Sequence, residues 1–159
     1  MLQEINKEME ALIRGWGLPE VLKEQEDNID FKFDDNGLVD TKESGYGIEV
    51  GKVKFALWNK QTGKVLFTMD FHKPLPMIID LRQWDEETLI VDLLEVHEES
   101  LRKKGISSFY IEKIKSITEH IYVIANTNAN KFKGSSKVNA LTQKELKDFY
   151  KKRNINLLN

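Results

Sequence analysis

The stretch Leu89-Ile90-Val91-Asp92-Leu93-Leu94-Glu95-Val96 constrains the fold more than any other part of the chain. It is nearly continuous in apolar residues, yet far shorter than the ~18 residues a membrane span needs. Such a run reads as a strand covered on both faces, hence a central strand of a sheet. Downstream, Ile106, Phe109, Tyr110, Ile114 and Ile117 recur at helical spacing, and residues 121–125 form a short apolar segment. Strand, helix, strand in that order is a βαβ unit, whose two strands run parallel.

The chain upstream reads differently. Leu2, Ile5, Met9, Leu12, Ile13 and Trp16 share one face of a helix that Gly15 and Gly17 end. Pro19 opens a short second helix carrying Val21 and Leu22. An acidic stretch from Glu24 to Glu43 follows, within which Ile29, Phe31 and Phe33 alternate as in a half-buried strand. Residues 53–58 and 65–71 are two strands joined by the polar turn at 59–64, a hairpin signal. Pro74 and Pro76 break the chain. At the far end, Thr142-Gln143-Lys144-Glu145 is a capping box opening a helix that carries Leu146, Phe149 and Tyr150 inward. The expected architecture is α+β: flanking helices, a mixed but mostly antiparallel twisted sheet, and one parallel βαβ crossover. It forms a single domain over residues 1–159.

Composition narrows the function classes. A net charge of −2 gives no strong global field for nucleic acid or a membrane surface. The basic residues Lys131, Lys133, Lys137, Lys144, Lys147, Lys151, Lys152 and Arg153 have few interleaved aromatics beyond Phe132, Phe149 and Tyr150, and the overall charge is negative, so nucleic acid is not an expected partner. Without cysteine there is no disulfide framework, thiolate zinc site or cysteine nucleophile. The first residues lack the basic-then-apolar pattern of a signal peptide, so the expected location is the cytoplasm, with no membrane partner. Gly51-Lys52 lacks the rest of a phosphate-binding P-loop, and His72, His97 and His120 have no metal-ligand spacing, so no metal site is expected.

The chemistry lies in Arg102-Lys103-Lys104-Gly105-Ile106-Ser107, between the central strand and the amphipathic helix. A loop there presents unpaired backbone N–H groups at the positive end of a helix dipole, which suits phosphate. Gly105 permits close approach of backbone to ligand, and the three basic residues add cationic charge. These residues resemble the Arg/Gln-x-x-Gly-x-Gly/Ala signature of the GNAT superfamily of N-acetyltransferases. The similarity continues through the βαβ context, Asn126 after the second strand, and Phe149-Tyr150-Lys151-Lys152 on the last helix, covering roughly residues 88–155. Ser107 stands where the family has a final Gly or Ala, Arg153-Asn154-Ile155 stands where it has Gly-Phe, and little chain remains for its last strands.

The resemblance implies a GNAT-like fold that transfers an acetyl group from acetyl-CoA, as co-substrate, directly to a primary amine of a small molecule or peptide. It implies that the pyrophosphate sits on Arg102, Lys103, Lys104, Gly105, Ile106 and Ser107. The pantetheine arm would pair with the strand at Leu94, Glu95 and Val96, and Asn126 would bond the cofactor or a water. Amine deprotonation calls for a carboxylate or an ordered water. Asp92 and Glu95 are the candidates, and they face opposite sides of a regular strand unless a bulge intervenes. By resemblance Tyr150 protonates the leaving thiolate. The acidic stretch reads either as a solvated face or as favouring a cationic acceptor such as a polyamine, aminoglycoside or lysine-bearing peptide, and a homodimer is compatible with this reading. The alternative is a catalytically silent GNAT-shaped module that binds CoA or a partner protein.

Overall fold

The computed structural model describes residues 2–38, 44–49, 51–123 and 143–158. Its sheet is organised by one hairpin. Asn59 Oδ1 accepts the N–H groups of Gln61 and Thr62, and Gly63, at φ 71°, donates its N–H to the Asn59 carbonyl. This turn reverses the chain between β3 (Lys52–Asn59) and β4 (Lys64–His72), which pair antiparallel. On the other edge of β3 lie β1 (Ile29–Lys32) and β2 (Gly47–Glu49), each antiparallel to a different part of it. β5 (Leu89–Val96) pairs antiparallel with β4 and parallel with β6 (Ile121–Val123), so the apolar run is indeed central. β7 (Asn156–Leu157) lies parallel beyond β6. The result is an α+β fold around a mixed seven-stranded sheet.

One face of the sheet carries the main core. Val53, Phe55 and Leu57 of β3, Phe67, Met69 and Phe71 of β4, Val91 of β5, and Ile121 and Val123 of β6 form one cluster with three helices. These are α1 (Leu2–Trp16), α3 (Ile106–Lys115) and α4 (Gln143–Lys152). Tyr110 stacks on Phe67 at 5.0 Å, and Trp16 meets both Phe55 and Tyr110 at 6.4 Å. Each fully buried large apolar side chain contributes about 1.5–3 kcal/mol, so this aromatic knot anchors α1 and α3 to the sheet. The opposite face is more polar: Thr68, Asp70 and His72 of β4 alternate onto it, beside the small cluster of Tyr46, Ala56 and Val65.

Several elements depart from the sequence reading. The chain does not simply break at Pro74 and Pro76: Pro76 occupies the first turn of α2 (Pro76–Arg82), where a missing N–H costs nothing. Trp84, just beyond it, stacks on Tyr122 of β6 at 4.5 Å and covers part of the polar face. The segment after Pro19 is a 3-10 helix, Glu20–Asn28, with Leu22 buried. Two short strands, β2 and β7, add pairings that periodicity does not signal, and β7 makes a second parallel pair where one was expected. Leu12, expected on the inner face of α1, is 42% exposed. Thr142 of the capping box, residues 124–125 of the second parallel strand, Asn126, and Asp40, Lys42 and Glu43 of the acidic stretch lie outside the described residues. Among the described residues no helix is long and apolar enough to cross a membrane.

Candidate functional site

The β5–α3 connection begins where β5 loses its cover. Ile90 and Val91 are buried, whereas Asp92 through Val96 are only half-buried and extend past the last described pair with β6, Val91 with Val123. After Val96 the chain makes a 3-10 turn, Glu99–Leu101, and reaches Arg102. Its guanidinium turns inward: the residue is 7% exposed, and Nε donates to the Val96 carbonyl at 2.9 Å, with Glu95 Oε1 3.9 Å from Nη2. Arg102 thus clamps the end of β5. Lys103 and Lys104 are exposed, as are Glu98 and Glu99 earlier in the same connection.

Backbone conformation sharpens the loop. Lys103 sits at φ 61°, a left-handed position that costs a non-glycine residue about 1–2 kcal/mol. Gly105, the residue before α3, sits at φ 92°, where glycine is free of that cost. A methyl placed on Gly105 would meet no atom within 4 Å, so its backbone faces open space. The first N–H groups of α3 have no intrahelical acceptor and lie at the positive end of its dipole. From this corner an open groove of about 730 Å³ runs between α1 and α3, lined among others by Leu12, Trp16, Lys104, Phe109 and Lys113. Lys113 lies over the Phe109 ring at 5.0 Å.

Asp92 and Glu95 come to the same side because a bulge does intervene. Asp70 is opposite Leu93 while Phe71 is opposite Val91, so Asp92 is the extra residue of β5. Its carboxylate meets His72 of β4: Nδ1 and Oδ2 lie 2.6 Å apart, with the side chains 33% and 25% exposed. Glu95 is opposite Thr68, on the same face of β4 as His72. Thr68 Oγ1 also lies 2.9 Å from His97 Nε2 and 3.2 Å from the Tyr46 hydroxyl. Leu94 and Val96 point to the other face and pack on the main core. Ile106 is buried with its backbone opening α3, and Ser107 is half-buried beside it.

Tyr150 is placed differently from the others. It is 3% exposed within the main core, its ring edge-on to Phe149 at 5.2 Å, and burial pushes its phenol well above the ordinary tyrosine range. α4 is tied to α3 by Arg153, whose Nε donates to Ser108 Oγ at 2.9 Å and whose guanidinium lies over Phe149. Part of the acidic stretch is neutralised locally, with Asp30 paired to Arg14 and Asp34 to Lys32. Among the described residues no group of three or more His, Asp or Glu is gathered for a metal ion.

His72 is the site residue that spacing alone did not single out. Its one local signal is parity with Thr68 and Asp70 on the polar face of β4. Its partner lies 20 positions away and is reached only through the bulge. No protein-family model matches the chain, and no curated protein matches its sequence.

Proposed function

We propose that the chain is an acetyl-CoA-dependent N-acetyltransferase of GNAT-like fold that acylates a primary amine directly. The observation that carries this reading is the junction of β5 and α3. There a central strand emerges half-buried beside a loop that exposes Lys103 and Lys104 and holds Gly105 open at a helix N-terminus. A diphosphate is recognised by such N–H groups and cations together. The adjoining groove has apolar walls that suit the flat base of a nucleotide, while its two lysines, Lys104 and Lys113, are matched by two carboxylates, Glu20 and Glu112. The half-buried edge of β5 suits an extended arm lying along it, and a backbone N–H there can stabilise the oxyanion of thioester attack.

In this mechanism the chain's own groups bind and orient. The loop holds the diphosphate, and Arg102 fixes the end of β5 rather than touching the ligand. The carboxylates Asp92 and Glu95 stand on the polar face, from which the amine would enter. The second reading, a CoA-binding module without turnover, is favoured by one specific observation: Tyr150 is buried in the core, and its raised pKa makes it a poorer proton donor to a thiolate of pKa about 8.5. Calorimetry with acetyl-CoA, followed by thiol release across a panel of amines, tests both. Heat of binding with thiol release supports the enzyme, heat without release the module, and no heat removes both.

A further inference from the structure

We propose that His72, positioned by Asp92, is the group that accepts the proton of the incoming amine, an assignment that rests on the acetyltransferase reading above. The observation is the 2.6 Å contact between Nδ1 and Oδ2 across the β4–β5 bulge. A carboxylate only accepts, so a neutral His72 donates from Nδ1 and keeps its lone pair on Nε2. Among the described residues no hydrogen bond engages Nε2, and the ring is one-third exposed. A bare strand carboxylate lacks that arrangement, because here Asp92 is itself occupied by the imidazole.

Placement agrees with the role. Asp92 is the first residue of β5 beyond its last described pair with β6, and Val96 lies four positions on, at the loop end. At 3.3 Å per residue that is about 13 Å of half-buried strand between the diphosphate corner and the dyad. The cofactor loop lies on the α3 side of the sheet, whereas His72 and Asp92 meet on the opposite, polar face. Donor and acceptor would therefore approach from different faces and meet at the bulge. Charged neighbours of the imidazole are Lys52, directly opposite on β3, Asp70 two positions along β4, and Lys73 next in the chain.

The step balances as follows. His72 Nε2 takes one proton from R–NH3+ and releases it to solvent, leaving a lone pair on nitrogen. That pair forms the C–N bond to the thioester carbonyl carbon. Collapse of the tetrahedral intermediate breaks the C–S bond, sulfur keeping the pair. The second proton leaves nitrogen and ends on sulfur, giving the amide, CoA thiol and one free proton.

The test uses the whole chain with acetyl-CoA and the amines spermidine, an aminoglycoside and a lysine-bearing peptide. Wild-type calorimetry comes first: no heat with coenzyme overturns the acetyltransferase reading itself. With coenzyme bound, His72→Ala is expected to slow thiol release by about 10²–10⁴-fold while keeping coenzyme affinity, and added imidazole should restore part of the rate. His72→Gln, which keeps volume and a donor toward Asp92, should show the same loss if His72→Ala does not fold. Asp92→Asn should shift the imidazole tautomer in ¹⁵N NMR and lower the rate, with Asp92→Glu recovering some of it. Coenzyme bound with no thiol released by any amine, an active His72→Gln enzyme, or a loss that imidazole cannot rescue each overturns the assignment while leaving coenzyme binding intact.

Discussion

Arg102 is the residue where sequence and structure assign different work, which makes its removal informative. On sequence it is one of three cations aimed at a phosphate. In the structure it is 7% exposed and donates from Nε to the Val96 carbonyl at 2.9 Å. Arg102→Met keeps most of the apolar stem and removes the donor. A hydrogen bond from a charged group contributes about 1.5–3 kcal/mol, and the Glu95 contact, at 3.9 Å, is too long to add much. For a chain of this size each kcal/mol moves Tm by about 2–4 °C, so Arg102→Met should lower Tm by about 3–12 °C. Arg102→Glu should do worse, about 3–5 kcal/mol, because it places an unpaired carboxylate in a buried position beside Glu95. Differential scanning calorimetry on both variants, with acetyl-CoA titrations well below the lower Tm, separates clamp from ligand contact. A Tm within about 1 °C of wild type for Arg102→Met, together with a large loss of coenzyme affinity, would refute the clamp.

Other perturbations follow from the same geometry. Lys103→Glu with Lys104→Glu, both exposed, should leave Tm nearly unchanged but weaken acetyl-CoA binding by about tenfold or more at low salt, as charge reversal beside a diphosphate costs upwards of 1.4 kcal/mol. Gly105→Ala should destabilise by about 1–2 kcal/mol in urea titrations, purely through its φ of 92°, since the added methyl has room. Stability should fall above about pH 10: the unfolded phenols of Tyr110 and Tyr150 ionise there, while burial keeps the folded ones protonated. The unfolded state then binds fewer protons, so each tyrosine removes about 1.4 kcal/mol per pH unit from the free energy of unfolding until its folded pKa is reached. Tyr150→Phe should flatten that slope in alkaline urea melts; an unchanged slope would place its phenol in contact with water.

The elements that were legible are those whose signal is local. The hairpin of β3 and β4 shows in two apolar segments around a polar turn, the central place of β5 in its nearly continuous apolar run, and α3 in its 3.6 spacing. Full cover of β5 on both faces is not found, since only Ile90 and Val91 of it are buried. Helix α2 escaped because two prolines read as a break, although Pro76 at the first helical position is a start signal. β2 and β7 escaped because strands of three and two residues carry almost no periodicity. The candidate site divides in the same way: Gly105 and the exposed lysines are visible in six consecutive residues, whereas the dyad is not.

Residue order alone determined the strand–loop–helix that could meet a phosphate, because strand period, helix spacing and a glycine before a helix are properties of neighbours along the chain. Only the folded sheet decided that Arg102 points inward, that Tyr150 joins the core, and that Asp92 meets His72. The last two depend on packing and register between segments far apart in sequence, and the first on the turn that carries Arg102 back to Val96. A single inserted residue in β5 is enough to turn a side chain from one face to the other.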